Sequence, residues 1–178
     1  MSEQRFHVIG MTDDQSGTFS AEILQLMGRG KVFSGGKRHH EIVASLLPED
    51  AVWIDITVPL DKVFSQYEAY AEIIVFASGD PLFFGFANTL KKRLPNAWMR
   101  VYPVFNSLQT LAHRLVLPYH DMRTVSLTGR PWQNLDEALI RGDKLIGALT
   151  DREKTPSRIA ARMLEYGYDN YHMTIGVY

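Results

Sequence analysis

The chain has 178 residues, of which 46% are apolar and 22% charged, enough for a packed core, and this composition excludes a disordered or fibrous protein. Its 19 basic and 20 acidic residues leave a net charge of −1, which gives no reason to expect nucleic acid as the main partner. The absence of cysteine excludes disulfides, thiolate metal sites and cysteine nucleophiles and is typical of a cytosolic protein. The polar N-terminus predicts no secretory signal, and no apolar stretch reaches the roughly 18 residues that cross a bilayer. We therefore expect a soluble, cytoplasmic globular protein without a membrane partner.

Strand-like and helix-like segments alternate from residue 5 to residue 115, which predicts a mostly parallel sheet with helices on its faces. The strands are predicted at 5–10, 31–34, 51–57, 72–77 and 98–103. The helices are predicted at 19–27, 37–47, 60–70, 83–94 and 107–115.

The segment 116–122 (VLPYHDM) interrupts this alternation. Because Pro118 ends the preceding helix, we predict two α/β domains, 1–117 and 123–178, joined by a linker at 118–122. The second domain is predicted to contain strands at 124–128, 144–149 and 171–178 and helices at 134–141 and 155–166. Thr155 is predicted to cap the last of these helices, with Pro156 in its first turn.

The stretch 76–85 (FASGDPLFFG) follows a strand that is almost entirely apolar. Gly79 permits backbone angles closed to other residues and Pro81 fixes φ, so we predict a tight turn just past the carboxyl end of the strand. Ligands of open α/β sheets bind at that position. Asp80 has two roles that the sequence leaves open: binding a ribose or amino group of a ligand, or accepting a hydrogen bond within its own turn. Gly85 is interpreted as a site of close packing.

Four segments together resemble the tetrapyrrole methylases, a family that uses S-adenosylmethionine. They are FASGDPLFFG (76–85), PVFNSLQTLAHRLVLPYHD (103–121), VSLTGR (125–130) and LTDREKTPSRIAARMLEYG (149–167). The resemblance extends over nearly the whole chain, and it is greatest to members that methylate C5 of a corrin precursor in cobalamin biosynthesis. No single segment is specific by itself, whereas their order and spacing together are.

The resemblance implies two α/β domains, a mostly parallel N-terminal sheet and a mixed C-terminal sheet, with S-adenosylmethionine and the active site in the cleft between them. The cofactor-binding residues that it implies are Ser78, Gly79, Asp80, Phe83, Phe84, Ser107, Leu108, Thr128, Gly129, Leu149, Thr150, Thr155 and Pro156. The candidate substrate-binding residues are Gly10, Lys37, Arg38 and Arg130. It further implies a tetrapyrrole substrate, a homodimer, and a partner or fused module that performs the C15 methylation and decarboxylation.

Methyl transfer to the C5 carbon of a precorrin or cobalt-precorrin requires in-line placement and exclusion of water more than acid or base catalysis, so we predict no dedicated catalytic residue. Carboxylates of such a substrate favour Arg and Lys. Lys37 and Arg38 stand at the start of a predicted helix, an unfavourable place for cations, and a binding role and a solvent-exposed role remain equally open. His39 and His40 point about 100° apart on a helix, and no histidine shows metal-ligand spacing, so no metal site is predicted.

The first loop departs from the pattern of the family. Members carry a Gly-x-Gly-Pro-Gly loop after the first strand, whereas this chain reads GMTDDQ at 10–15, so Gly10 alone matches. Members also continue beyond the last predicted strand, and we expect the chain to be part of a longer or fused protein. Two rival functions remain: methylation of ribosomal RNA by the same fold, and a non-catalytic regulatory domain that binds S-adenosylmethionine.

Overall fold

The computed structural model describes residues 3–12 and 18–177 and divides the chain into two compact units, 1–106 and 107–178. The predicted loop residues 13–15 and the last residue, Tyr178, therefore lie outside the described residues. The division falls before the helix at 107–115, which belongs to the second unit, and the predicted linker 118–122 lies inside that unit.

The first unit contains a five-stranded, fully parallel sheet in the order β3-β2-β4-β1-β5. The strands are β1 Arg5–Met11, β2 Val32–Gly35, β3 Val52–Asp55, β4 Glu72–Ser78 and β5 Trp98–Tyr102. Its helices are α1 Ala21–Arg29, α2 Lys37–Val43 with a 3₁₀ turn at Ala44–Leu46, α3 Leu60–Tyr67 and α4 Phe86–Arg93. The predicted alternation of strands and helices is thus confirmed, as is the α/β fold class.

Two apolar clusters cover the two faces of this sheet, because alternate residues of a strand point to opposite sides. Phe6 and Val8 of β1 pack with buried residues of α3 and α4, whereas Ile9 and Met11 pack with α1 and α2. The central strand β4 is buried on both faces from Ile73 to Ala77, which explains its continuous apolar sequence.

The strand order places a switch point between β2 and β4. From β2 the chain continues outward to β3, and from β4 it passes β1 to reach β5 on the other side. The connections therefore leave adjacent carboxyl ends in opposite directions, which opens a crevice where ligands of such sheets bind.

The second unit has the helices α5 Ser107–Leu115, α6 Gln133–Arg141 and α7 Pro156–Glu165 and the strands β6 Arg123–Ser126 and β7 Ile146–Leu149. The two strands pair in parallel. Buried Val125, Leu127, Leu135, Leu139 and Ile159 form the core between the strands, α6 and α7.

The predicted strand at 171–178 is wrong for its described part, 171–177, which forms no strand. A strand needs a neighbour for its backbone groups, and here Met173, Ile175 and Val177 are exposed by 44%, 56% and 83%. The described second sheet is consequently parallel and not mixed. Tyr171 nevertheless contacts this unit, since its hydroxyl donates to the carbonyl of Asp143 over 2.9 Å.

The predicted helix at 83–94 begins later, at Phe86, with Gly85 as its N-cap. Phe84 has a φ of +54°, which a right-handed helix cannot contain. Residues 81–82 form a turn instead, and residues 83–85 form a bend. Within the described residues, none of the helices has both the length and the apolar character needed to span a bilayer.

Candidate functional site

The turn after β4 has the conformation that its sequence predicts. Gly79 has a φ of +66°, and its N–H donates to the carbonyl of Met11 over 2.7 Å, which attaches the turn to the end of β1. Asp80 Oδ1 accepts the N–H of Leu82 at 2.9 Å, so one of the two roles left open for Asp80, the hydrogen bond within its own turn, is observed.

Two other glycines let backbone segments touch this turn. A Cβ at Gly10 would lie 2.5 Å from the carbonyl oxygen of Gly79, and a Cβ at Gly85 would lie 2.5 Å from that of Pro81. Gly10 and Gly85 thus have packing roles, as interpreted for Gly85. At Gly79, in contrast, no heavy atom of the described residues other than its chain neighbours lies within 4 Å of the Cβ position, so within the described chain open space borders its main chain.

Aromatic rings lie next to the turn. The rings of Phe83 and Phe84 meet edge to face with centroids 4.8 Å apart. Phe84 is 38% exposed, and Phe83 is half-buried. The turn therefore combines accessible main chain with apolar ring surface, which is the combination that a nucleoside requires.

The N-terminus of α2 lies on the β2 side of the same turn. The N–H of Gly36 donates to His39 Nδ1 over 3.1 Å, and His39 Nε2 lies 2.9 Å from the hydroxyl of Ser78. Lys37 and Arg38 occupy the first turn of α2 and are exposed. The structure thus brings two predicted substrate-binding cations to the edge of the sheet that carries the predicted cofactor residues.

The adjacent His40 has a different environment, as the helical geometry predicts. Its ring stacks on Trp53 with centroids 4.2 Å apart and planes inclined by 11°. Among the described residues there is no group of three His, Cys, Asp or Glu side chains that could hold a metal ion.

In the second unit, the loops after β6 and β7 are joined to each other. The N–H of Leu127 donates to the carbonyl of Leu149 over 2.8 Å, and the hydroxyl of Thr128 donates to that of Thr150 over 3.2 Å. Gly129 has a φ of +60°, and among the described residues no heavy atom beyond its chain neighbours lies within 4 Å of its Cβ position. The predicted residues Thr128, Gly129, Leu149 and Thr150 are therefore brought together at one edge of this sheet.

Asp151 holds these two loops together, and it is absent from the predicted site residues. Its carboxylate accepts the N–H groups of Gly129 at 2.9 Å, Glu153 at 2.9 Å and Lys154 at 2.6 Å. Hydrogen bonds from the backbone of Lys154 and then of Gly129 hold the pKa of Asp151 below its usual value. The sequence signal was its place in the Leu-Thr-Asp segment after a strand, where a carboxylate commonly orders a turn.

The other predicted residues of the second unit have structural contacts. Arg130 Nη1 donates to the hydroxyl of Ser126 at 3.0 Å and to the carbonyl of Thr128 at 3.1 Å, which directs the guanidinium back along β6. Thr155 caps α7 by accepting the N–H of Arg158 at 3.3 Å, and Pro156 is in the first turn, as predicted.

Ser107 and Leu108 open α5. Leu108 is buried and packs over β7, where a Cβ at Gly147 would lie 2.9 Å from its Cδ1. The predicted site residues thus form two groups, one at the carboxyl edge of each sheet, apart from Ser107, Leu108, Thr155 and Pro156 at the starts of helices.

Comparison with known proteins gives relatives of one kind. The chain is 31% identical over 171 residues to a precorrin-6Y C(5,15)-methyltransferase (decarboxylating) of Sinorhizobium sp, a match that covers 94% of this chain and 40% of that protein. It is 25% identical over 170 residues to a cobalt-precorrin-7 C(5)-methyltransferase of Salmonella typhimurium, covering 95% of this chain and 82% of the relative. The chain therefore spans less than half the length of the first relative and most of the second. No family model matches it.

The fold is shared with solved structures. A uroporphyrin-III C-methyl transferase from Thermus thermophilus, solved in complex with S-adenyl homocysteine, superposes with a TM-score of 0.63 at 21% identity and covers 93% of this chain and 73% of its own. Similarity in sequence to two precorrin methyltransferases over nearly the whole chain, together with this shared fold, supports the resemblance to the tetrapyrrole methylases described above.

Proposed function

We propose that the chain is an S-adenosylmethionine-dependent methyltransferase that methylates C5 of a corrin precursor in cobalamin biosynthesis. One observation carries the proposal: the turn at Gly79 presents open main chain at the carboxyl end of β4, beside the switch point of a parallel sheet. The names of the two relatives, which are both C5 methyltransferases of precorrin or cobalt-precorrin, support the choice of reaction.

The residues around this turn fit the parts of S-adenosylmethionine. Gly79 offers backbone groups without a side chain in front of them, and Phe83 and Phe84 offer apolar ring surface for an adenine. Asp80 uses Oδ1 within its turn, which leaves Oδ2 as an acceptor for ribose hydroxyls. In the first unit, we assign cofactor binding to Ser78, Gly79, Asp80, Phe83 and Phe84.

The second unit offers a comparable edge. Gly129 again presents main chain beside open space, and Asp151 holds the turns that carry Thr128 and Thr150. We propose that Thr128, Gly129, Leu149 and Thr150 also bind the cofactor. Ser107, Leu108, Thr155 and Pro156 support it, since their described contacts are those of helix starts and core.

The carboxylates of a corrin precursor require cations. Lys37 and Arg38 are exposed in the first turn of α2, where the positive end of the helix dipole disfavours cations. We propose that both bind substrate carboxylates, together with Arg130. Gly10 contributes by allowing the close approach of β1 to the Gly79 turn.

The chemistry demands little of the chain beyond positioning. S-adenosylmethionine supplies an electrophilic methyl group on a sulfonium. When the donor is bound, its methyl group would be transferred to C5 of the substrate, and the electron pair of the carbon–sulfur bond would remain on sulfur. The residues named above bind and orient the two molecules in line and exclude water, and no side chain is assigned as a general base.

We further infer a cytoplasmic homodimer that acts with a module for C15 methylation and decarboxylation. The Sinorhizobium relative supports such a module, because its name covers both methylations and the decarboxylation, and because that protein is longer than the segment that matches this chain. The assignment of the site depends on none of these three inferences: the cytoplasmic location, the homodimer or the additional module.

The test is incubation of the chain with a corrin precursor, with and without cobalt, and S-adenosylmethionine that carries a deuterated methyl group. We expect mass spectrometry to detect one labelled methyl in the corrin product. Transfer of the label to ribosomal RNA would contradict the substrate, and binding of the donor without any transfer would identify a regulatory domain instead.

A further inference from the structure

The two neighbours of β4 hold its carboxyl end very differently. β1 pairs with β4 in register as far as Met11 and Ser78, the last residue of the strand. β2 pairs with β4 at Phe33 with Ile74 and at Ser34 with Val75, after which β2 continues its pairing with β3 alone. Within the described strands, the β2 side of Ser78 is therefore not held by backbone pairing.

His39 spans this opening. Its ring lies between the N-terminus of α2 and the end of β4, with Nδ1 3.1 Å from the nitrogen of Gly36 and Nε2 2.9 Å from the hydroxyl of Ser78. Its Cβ packs closely on Gly35, where an added Cβ would lie 3.1 Å away. Glycine at position 35 thus leaves the space that this ring orientation requires.

The hydrogen bonds define the tautomer of the ring. A backbone N–H can only donate, so Nδ1 must be the unprotonated nitrogen and accept from Gly36. Nε2 then carries the proton and donates to the hydroxyl of Ser78. The hydroxyl keeps its own proton for a further acceptor.

We propose that His39 is a positioning residue for the cofactor turn: it fixes Ser78 and Gly79 relative to the N-terminus of α2, which carries Lys37 and Arg38. The inference rests on the proposed function, and it deepens it by joining the cofactor turn to the proposed substrate cations through one side chain. His39 itself touches neither ligand. Sequence patterns do not reveal this link, because His39 and Ser78 are 39 positions apart.

The test is a double-mutant cycle of His39→Ala and Ser78→Ala, with the affinity for S-adenosylhomocysteine measured by titration calorimetry. Each single variant is expected to lose about three- to tenfold in affinity, the range that one hydrogen bond provides. The double variant is expected to bind no more weakly than Ser78→Ala alone, because Ser78→Ala already removes the link to His39. Losses that multiply would overturn the inference.

A matched control uses the neighbouring histidine of the same helix. His40→Phe keeps a ring on Trp53 and removes the nitrogens, and it is expected to leave the affinity unchanged. A loss as large as that of His39→Ala would show a general effect of α2 and would contradict a specific link to Ser78.

A spectroscopic signature decides the link without any ligand. Nitrogen-15 spectra are expected to show His39 as the Nε2–H tautomer, and hydrogen exchange of the Gly79 amide is expected to accelerate in both single variants. An Nδ1–H tautomer, or unchanged exchange, would overturn the inference. If the unaltered chain binds no S-adenosylhomocysteine while these signatures are present, the proposed function fails and the link between α2 and β4 stands.

Discussion

Substitutions at Gly79 separate the conformational requirement of the turn from its proposed contact with a ligand. The residue has a φ of +66°, and apart from its chain neighbours no heavy atom in the described part of the chain lies within 4 Å of its Cβ position. Alanine therefore meets no steric clash and costs only the left-handed conformation, about 1–2 kcal/mol in the free energy of unfolding. Asparagine tolerates that conformation better and is expected to cost less than about 1 kcal/mol.

Thermal stability and affinity for S-adenosylhomocysteine are therefore expected to rank the Gly79→Ala and Gly79→Asn variants differently. In a chain of this size, Gly79→Ala lowers Tm by roughly 3–6 °C and Gly79→Asn by less. Affinity for S-adenosylhomocysteine follows side-chain size instead, because each added atom enters the open space beside the main chain. We expect about a tenfold loss for Ala and a larger loss for Asn.

Gly142 provides the matched control. It has a φ of +73° at the end of α6, it is not a proposed site residue, and beyond its chain neighbours no heavy atom of residues 3–12 and 18–177 lies within 4 Å of its Cβ position. Gly142→Ala and Gly142→Asn are expected to change Tm in the same order and leave the affinity unchanged. An affinity that follows Tm at Gly79, with Asn binding better than Ala, would refute the reasoning.

Three further predictions concern hydrogen bonds in the two units. The hydroxyl of Ser34 donates to the carbonyl of Ile54 at 2.8 Å and accepts from the buried Tyr67 hydroxyl at 2.7 Å. Ser34→Ala leaves the buried Tyr67 hydroxyl without this acceptor, and urea unfolding is expected to show a loss of about 1–3 kcal/mol in the free energy of unfolding, more than Tyr67→Phe loses. Burial raises the pKa of Tyr67 from 10.0 to about 12, and an ultraviolet titration that shows the folded chain ionising Tyr67 at its ordinary pKa would contradict this burial. Asp136 and Arg162 form a bidentate pair at 2.8 Å for both bonds, and a double-mutant cycle to alanine is expected to give a coupling of roughly 0.5–1 kcal/mol, whereas no coupling would mean that the pair is not formed in solution. The pKa of Asp151 is lower in the folded chain, so the ionised carboxylate stabilises the fold above the unfolded pKa, and this stabilisation is lost as pH falls through the folded pKa. The Tm values of Asp151→Asn and of the unaltered chain are therefore expected to converge below about pH 4. A difference in Tm that stays constant with pH would contradict the role of the backbone hydrogen bonds to this carboxylate.

The elements of the first unit could be predicted because apolar periodicity reports burial directly. The run at 73–77 is buried on both faces, and its continuous apolar sequence is the pattern of a central parallel strand. The order of the strands could not be predicted in the same way. The order of the strands depends on which connections cross over β1 and β4 before the chain returns to the sheet, and apolar periodicity does not indicate which connections do so.

Two local predictions failed because competing contacts decide the conformation. The alternating segment at 171–177 has the sequence of a strand, but no neighbouring strand accepts its backbone groups in the described part of the chain. The apolar run from Leu82 to Phe86 has the sequence of a helix start, but Phe84 adopts a left-handed conformation and Gly85 packs on the carbonyl of Pro81.

In the candidate site, the sequence identified the turns and missed the side chains that join them. Gly79 was recognisable because positive φ favours glycine after a strand, whereas Gly129 was implied by the resemblance. His39 and Asp151 were missed as site residues because each contacts a backbone or side-chain group that only the fold brings near. Asp151 reaches Gly129 across 22 positions, a distance over which sequence spacing predicts no contact.

The central claim is that the strand-end loops bind S-adenosylmethionine, and titration calorimetry of the unaltered chain with this donor tests it most directly. The account predicts saturable binding to one site per chain, displaced by S-adenosylhomocysteine and weakened by Gly79→Asn without loss of folding. Absence of heat up to millimolar donor, or binding that Gly79→Asn leaves unchanged, would contradict it.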